Sequence, residues 1–372
     1  MPGKGLEDII AAETSISDID GQQGRLFYVG YDIHELAVSS TFEEIVYLLH
    51  NLELPDQAKL DGLTDRLLAE RELDSFVERL MPTMAEQTSP MSMLRTTVSA
   101  SSAHDPDGWD QSTEANYRKA IRLIARFATV ITTYHRIRTN EQILKPNPKL
   151  SHAANFLYML TGREPDEEFA RIFDICLVLH ADHTMNASTF AARVAASTLS
   201  DIHSATTAAI ATLKGPLHGG ANEAVMKILL GIGDLDKVKD AVRAKLAAKE
   251  KIMGFGHRVY KTEDPRATHL RKLSQQIGEM VGDTRWYEMS RAMEEVVMEE
   301  KGLYPNVDFY AASVYYCLGI PVDLFTPVFA ASRVAGWTAH IREQYADNRL
   351  IRPESAYVGP SHRAYVPIEQ RG

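Results

Sequence analysis

The sequence has 372 residues, of which 45% are hydrophobic and 24% are charged, so it is long and apolar enough for a globular protein of two domains or one large domain. The formal net charge of -10 and the pI near 5.7 argue against a surface that binds nucleic acid or anionic lipid, and an anionic ligand would therefore need clustered arginines. No apolar run approaches the roughly 18 residues that a membrane-spanning helix needs, and the first residues lack the apolar region of a signal peptide, which predicts a cytoplasmic protein.

The predicted elements are almost entirely helical. The first pattern along the chain is a short β-like run at 26–29, between Gly24 and Gly30, which is too brief to build a main sheet. Apolar residues three and four apart, the spacing of a helix, follow in two segments. These segments are marked by Phe42, Ile45, Val46 and Leu49, and by Tyr117, Ile121, Ile124 and Phe127. The sequence therefore predicts a mainly α fold.

Later segments add three patterns. Cys176 and Cys317 each lie in an apolar run, so we expect buried thiols and no disulfide. Residues 188–213 are rich in Ala, Ser and Thr, which favours helices that approach closely in a core or at a subunit contact. The charged run at 234–251 is typical of a turn followed by a solvated helix.

Glycine and proline are concentrated in three short loops, at 214–220, 253–257 and 264–266. Neither glycine-rich loop matches a nucleotide-binding motif. The loop at 253–257 lacks the third glycine and a preceding strand, and the loop at 214–220 lacks the Gly-Lys-Ser/Thr ending of a phosphate-binding loop. Because reactive polar residues lie in the same loops, we expect the functional site there.

His180 and His183 have a spacing that could support a metal site. No third ligand is obvious nearby, and a buried core histidine is the better interpretation of His180. A metal-dependent hydrolase built on these histidines and Asp182 is therefore a distant alternative, and we predict no metal.

Three residues could carry acid–base chemistry. His218 precedes a helix-like run, and a helix N-terminus lowers the pKa of histidine, which favours a neutral ring that donates to an enolate; a capping role is an equal alternative. His257 lies in a glycine-lined loop near Arg258 and Arg266, which suits polarisation of a carbonyl in an anionic substrate. Asp308 lies among apolar neighbours, where desolvation would raise its basicity, although it could equally cap a helix.

Arginines complete the candidate site. Guanidinium groups bind carboxylates through two parallel hydrogen bonds, so a dicarboxylate is the natural ligand for several of them. The candidates are Arg266, Arg333 and Arg352. Each is ambiguous by itself, since surface arginines are common.

Taken together, these motifs resemble the citrate synthase family. The matching runs include His180-Ala181-Asp182-His183, Gly215-Pro216-Leu217-His218-Gly219-Gly220, Gly254-Phe255-Gly256-His257-Arg258, Asp264-Pro265-Arg266 and Pro305-Asn306-Val307-Asp308. Matches extend in order from Gly30 to Arg352, nearly the whole chain. The resemblance implies a mainly helical homodimer, with a large domain at 1–219 completed by 320–372 and a small domain at 220–319 that closes against it.

The resemblance also implies a reaction, the condensation of acetyl-coenzyme A with oxaloacetate. Asp308 would remove a proton from the acetyl methyl group while His218 donates to the thioester oxygen, and His257 would donate to the oxaloacetate carbonyl. The implied oxaloacetate ligands are His183, Arg266, Arg333 and the partner subunit's Arg352. The implied coenzyme A contacts are Lys251, Ile252, Gly254, Phe255, Gly256, Lys261 and Asn306. No tightly bound cofactor is implied, and acetyl-coenzyme A is a co-substrate.

The sequence does not decide which acyl-coenzyme A is the substrate. The chain has Thr184-Met185 where many relatives carry Glu-Leu, which could alter affinity or acyl choice. 2-Methylcitrate synthase, which takes propionyl-coenzyme A, shares every catalytic residue, and one methylene is worth only about 1 to 3 kcal/mol in an apolar pocket. Citrate synthase is the preferred interpretation. A catalytically silent scaffold is disfavoured, because every expected catalytic position is filled.

Overall fold

The computed structural model describes residues 5–6 and 9–372. A small antiparallel sheet opens this part of the chain, with strands β1 (Ser17–Asp20), β2 (Arg25–Tyr28) and β3 (Tyr31–Asp32) in the order β1-β2-β3. Its register pairs Ser17 with Tyr28, and Tyr28 with Tyr31. All other regular structure in the described residues is helical, which confirms the predicted mainly α fold.

Sixteen α-helices follow the sheet in the described residues. The first eight are α1 (Ile33–Ser39), α2 (Phe42–Asn51), α3 (Gln57–Ala69), α4 (Ser75–Ala85), α5 (Pro90–Ser101), α6 (Thr113–Arg138), α7 (His152–Thr161) and α8 (Glu167–His180). The others are α9 (Ala187–Ser197), α10 (Ile202–Leu213), α11 (Ala221–Ile232), α12 (Val238–Ala247), α13 (Pro265–Val281), α14 (Arg285–Lys301), α15 (Val307–Cys317) and α16 (Phe325–Ala346). The two apolar patterns fall within α2 and α6, and the charged run contains α12.

Side-chain caps explain where several helices begin. Thr41 and Glu44 form a reciprocal capping box at the start of α2. Asp264 accepts the Arg266 N–H at the start of α13, and the Asn306 side chain accepts the Asp308 N–H at the start of α15. The last two caps fix the first turns of the helices that carry Arg266 and Asp308.

Helix α16 lies in the helical core. Residues 325–341 of this helix are all buried, and it packs against α6, α8, α9 and α10. The Gly336 N–H donates to the Ala181 carbonyl at 3.1 Å, and a Cβ atom at Gly336 would lie 2.3 Å from Asp182 Oδ1. Glycine is required for this close approach, which holds the turn after α8 against α16.

Helices α11 to α15 pack largely on one another. Helices α11 and α13 both contact α15, and α12 contacts α14, while α13 also contacts α1 and α8 of the remaining fold. The division into 1–219 with 320–372 and 220–319 stays a prediction. Residues 347–372 lie outside the helical core and are mostly exposed, with one 3-10 turn at Ile368–Gln370.

Two further predictions concern the cysteines, which we expected to be buried and free, and membrane-spanning helices, of which we expected none. Cys176 is buried and Cys317 is half-buried, and both are free thiols. In the part of the chain that the structure describes, none of the helices combines the length and apolarity needed to cross a bilayer.

Candidate active site

One cavity of about 690 Å³ gathers most of the predicted functional residues. It lies where the turn after α8, the loop before α11, the loop before α13, and helices α13, α15 and α16 meet. The predicted residues that line it are His183, His218, Lys251, Gly254, Phe255, Gly256, His257, Arg266, Asn306, Asp308 and Arg333. Residues more than a hundred positions apart in the chain therefore share one site.

Three predicted residues do not line this cavity. Ile252 is buried in the apolar core beside it, and the exposed Lys261 has its Nζ atom 3.5 Å from the Arg258 carbonyl oxygen. Arg352 is exposed in the segment that follows α16. Within one chain, Arg352 does not contribute to the site.

His218 lies in the tight turn between α10 and α11. Its Nε2 atom is 2.8 Å from the Ser188 hydroxyl and accepts the Ser188 backbone N–H at 3.3 Å. A backbone amide can only donate, so the neutral ring carries its proton on Nδ1. Burial lowers the pKa of His218 to about 4, and Arg333 contributes to the shift. The neutral ring has two causes in the structure, desolvation and the charge of Arg333, and the effect of the helix terminus stays a prediction.

His257 has the opposite tautomer. Its Nδ1 atom accepts the backbone N–H groups of Val259 at 3.0 Å and Tyr260 at 3.3 Å, which leaves the proton on Nε2. Burial lowers the pKa of His257 to about 4; Asp264 opposes this shift and Arg266 adds to it. The two neutral histidines thus offer N–H groups from different ring positions.

His183 lies against His257. The two rings have centroids 5.0 Å apart, and His183 Nε2 is 3.1 Å from the Tyr260 hydroxyl. Burial, followed by the charge of Arg266, holds the pKa of His183 well below its ordinary value. His183 is therefore a third neutral histidine in the same wall.

Of the three arginines that line the cavity, Arg258 is exposed, whereas Arg266 and Arg333 are deeply buried. Arg266 forms a bidentate pair with Asp264, at 2.9 Å from Nε and 2.7 Å from Nη2, and Asp264 raises the pKa of Arg266 even though burial opposes this. Arg333 donates through Nε to the His180 carbonyl at 2.6 Å and lies over the Phe329 ring. Burial lowers the pKa of Arg333 to about 10, so it stays charged at neutral pH. The Nη1 atom of Arg266 and both Nη atoms of Arg333 have no hydrogen-bond partner among the described residues and are available to an anion.

Asp308 is a buried carboxyl group with a free oxygen. The helix cap is Asn306, so the capping alternative for Asp308 is wrong. Its Oδ1 atom is buried and has no hydrogen-bond partner among the described residues. Burial raises the pKa of Asp308 to about 7, with Asp264 adding to the shift and Arg266 and Arg333 opposing it. Such a carboxylate is a stronger base than a solvated one.

Other residues at the site were not assigned roles from the sequence. Trp337 Nε1 donates to the Ser188 hydroxyl at 3.1 Å, and Ser188 in turn contacts His218. Leu6 and Ile9, from the N-terminal segment, also line the cavity. Ser188 begins the Ala-, Ser- and Thr-rich segment, and neither Trp337 nor the N-terminal residues lay in a motif with recognisable chemistry.

The metal alternative finds no geometric support in the described residues. No group of three or more His, Cys, Asp or Glu side chains there is arranged to hold a metal ion. His180 is buried in the core, as predicted, with Nδ1 at 2.7 Å from the Cys176 carbonyl oxygen. It does not line the cavity that contains His183.

Comparison with known proteins gives a consistent result. The family model described as "Citrate synthase, C-terminal domain" matches residues 5–354. The citrate synthase of Haloferax volcanii is 51% identical over 99% of this chain and 98% of its own length, and citrate synthase 2 of Bacillus subtilis is 50% identical over 99% of each. The solved ternary complex of the Thermoplasma acidophilum citrate synthase with carboxymethyl coenzyme A and oxaloacetate is 35% identical, covers 99% of both chains and has a TM-score of 0.93.

Burial of Asp308 predicts a pH-dependent cost in stability. The folded-state pKa is raised to about 7, so above pH 7 folding must hold a buried charge, whereas below about pH 4 the group is protonated in both the folded and unfolded states. We expect Asp308→Asn to be more stable than the wild type at pH 8, by up to about 1.4 kcal/mol per unit of pKa shift, with the gain vanishing towards pH 4. Urea unfolding at both pH values measures the difference.

The exposed Asp65 on α3 provides the matched control. Asp65→Asn makes the same chemical change at a solvated position, so it should leave the free energy of unfolding nearly unchanged at both pH values. Equal stability of Asp308→Asn and the wild type at pH 8 would contradict the argument.

Proposed function

The chain belongs to the citrate synthase family, and we propose that it condenses acetyl-coenzyme A with oxaloacetate to give citrate and free coenzyme A. The observation that carries the proposal is the meeting, in one cavity, of a free carboxylate oxygen, neutral histidines with defined N–H groups, and buried arginines. This set can remove a proton from carbon, stabilise the resulting oxygen and hold a dicarboxylate.

The first step uses Asp308 and His218. Asp308 Oδ1 takes a proton from the methyl group of acetyl-coenzyme A, and Nδ1–H of His218 donates to the thioester oxygen. An enol forms without a free enolate, because both proton movements are served by groups already in place. A base with a pKa near 7 is matched to neutral pH.

The second step uses other residues of the same cavity. Nε2–H of His257 polarises the oxaloacetate carbonyl, while Arg266 and Arg333 bind its carboxylates. His183 adds a neutral contact beside His257. The enol carbon attacks the polarised carbonyl, and water then hydrolyses the citryl thioester to release coenzyme A.

The rim of the cavity offers backbone contacts for coenzyme A. The Asn306 side chain donates to the Gly256 carbonyl at 3.0 Å, and Phe255 pairs with Pro305 in an isolated β-bridge. Together with the Asn306 N–H, which donates to the Gly254 carbonyl at 2.9 Å, these contacts hold Gly254 and Gly256 at the cavity wall, which Lys251 also lines. Ile252 and Lys261 stay as further proposed contacts. The reaction proposed here requires no tightly bound cofactor, since side chains supply both the acid and the base.

The proposed active unit is a homodimer. The Ala- and Ser-rich helices α9 and α10 pack closely on each other within the chain, and their small residues would also suit close contact with a second subunit. The partner subunit's Arg352 would complete the carboxylate clamp, which agrees with its exposed position away from the cavity of its own chain. Closure of the small domain over the large one would exclude water from the enol.

Loss of either acid or base should abolish most turnover. We expect Asp308→Asn and His218→Ala each to lower kcat by about 10²- to 10⁴-fold, because each removes a group that moves a proton in the transition state. In the wild type, kcat/KM should rise with pH through about pH 7 as Asp308 ionises. Release of coenzyme A thiol from acetyl-coenzyme A and oxaloacetate measures all of these quantities.

The same assay tests the substrate. Wild-type enzyme that releases no thiol with both substrates present would refute the proposed function, and near-normal turnover of either variant would refute that residue's role. Propionyl-coenzyme A is the comparison substrate, and a higher kcat/KM with it than with acetyl-coenzyme A would identify 2-methylcitrate synthesis as the main activity.

Sharing of Arg352 between subunits predicts complementation. Arg352→Ala should chiefly raise the KM for oxaloacetate, because it removes one carboxylate ligand. A heterodimer of Arg352→Ala with Asp308→Asn contains one site in which both residues are wild-type, so about half of the wild-type activity per dimer should return. The activity of purified, doubly tagged heterodimers measures the rescue.

A heterodimer of His218→Ala with Asp308→Asn is the control. Both residues line the cavity of one chain, so each site in this heterodimer lacks one of them and activity should stay low. In the Arg352 heterodimer, a shared site should restore the wild-type KM for oxaloacetate, whereas a KM as high as that of the Arg352→Ala homodimer would show that the site is not shared.

A further inference from the structure

The turn between β1 and β2 lies against the loop that carries His257. The Gly21 carbonyl accepts the Lys261 N–H at 2.8 Å, and a Cβ atom at Gly21 would lie 2.4 Å from the Val259 carbonyl oxygen. A Cβ atom at Gly24 would likewise lie 2.8 Å from the Glu263 carbonyl oxygen. Each glycine therefore lies too close to the His257 loop and the residues that follow it to accommodate a Cβ atom.

The strands of the same hairpin hold the turn that carries His183. Ser17 donates through Oγ to Asp182 and accepts the Thr184 N–H at 3.2 Å. The Tyr28 hydroxyl accepts the Asp182 N–H at 3.1 Å and donates to the Asp182 carbonyl at 3.0 Å. These bonds lie on both sides of His183 and end at Thr184, a β-branched residue with a φ of 47°. This conformation is strained and needs support from its surroundings.

The hairpin contacts the backbone segments that hold His257 and His183. The amides of Val259 and Tyr260 set the tautomer of His257, and they lie within the segment that Gly21 touches. Tyr260 also links this segment to His183 through its hydroxyl. One small sheet thus supports both histidines that face the proposed oxaloacetate site.

We propose that the β1–β2 hairpin is a positioning element for oxaloacetate, in which Gly21 keeps the His257 loop in the conformation that points Nε2–H at the substrate carbonyl and Ser17 keeps His183 in place. This inference rests on the proposed function. Under the proposed domain division, the hairpin belongs to the large domain and the His257 loop to the small one. The Gly21 contact therefore spans the two domains and links their closure to the orientation of His257.

The decisive variant is Gly21→Ala. A methyl group there displaces the Val259 carbonyl, and misplacement of a catalytic group by about 1 Å costs about 10²-fold in rate. We expect kcat to fall by about 10- to 100-fold, with little change in the KM for acetyl-coenzyme A. We also expect the infrared carbonyl stretch of bound oxaloacetate, labelled with ¹³C at the ketone, to return towards its value in free oxaloacetate, since the hydrogen bond from His257 is weakened.

Gln22→Ala is the matched control. Gln22 is exposed in the same turn, and its side chain makes no hydrogen bond among the described residues. This variant should retain the wild-type kcat and carbonyl frequency. Thermal unfolding of both variants separates a loss of stability from a loss of positioning.

Ser17→Ala tests the other half of the proposal, and it decides the matter if Gly21→Ala does not fold. It should raise the KM for oxaloacetate several-fold while the carbonyl frequency of bound substrate stays that of the wild type. An unchanged KM in Ser17→Ala would overturn the role of the strands.

A wild-type carbonyl frequency in folded Gly21→Ala would overturn the role of the turn, even if the variant is less stable. Either result leaves the proposed function intact provided that the wild type releases coenzyme A from both substrates. Failure of the wild type in that assay would refute the proposed function itself.

Discussion

Burial of the side chains that line the cavity is the constraint on which the charge states of its histidines and of Asp308 depend. Burial is the largest influence on the pKa of His183, His218, His257 and Asp308. Desolvation disfavours charge, so it keeps the histidines neutral and raises the basicity of the carboxylate with the same physical effect. Acid and base therefore coexist near neutral pH, with hydrogen-bond donors and a proton acceptor ready in one site.

Burial of the positive charges of Arg266 and Arg333 is energetically unfavourable, and two buried aspartates stabilise these charges. Asp264 pairs with Arg266 through two hydrogen bonds and also accepts the Val307 N–H at 3.2 Å, so the same carboxylate positions the start of α15 and hence Asp308. Asp182, near Arg333, accepts from Thr184 at 3.0 Å and lies 3.3 Å from His340. Compensation of charge and placement of the reacting groups are thus achieved by the same residues.

Much of this could be predicted from the sequence, because periodicity and turn chemistry are local. The spacing of apolar residues identified α2 and α6, and the glycine-rich loops at 214–220 and 253–257 contain two of the histidines that line the cavity. What could not be predicted depends on packing between distant segments. The position of the N-terminal Leu6 at the cavity and the absence of Ile252 from its wall follow from tertiary contacts that no local pattern encodes.

The tautomers of His218 and His257 show most clearly what the sequence could not predict, because backbone amides set them. The sequence indicates a histidine at 218 and another at 257, and either ring could carry its proton on either nitrogen. The Ser188 amide selects Nδ1–H in His218, and the amides of Val259 and Tyr260 select Nε2–H in His257. Every residue except proline has the same backbone N–H group, so the identity of a residue does not predict that its amide will donate to a histidine. The direction in which these N–H groups point depends on the path of the backbone. The chemistry of the site therefore depends on loops whose conformation is fixed by neighbouring elements.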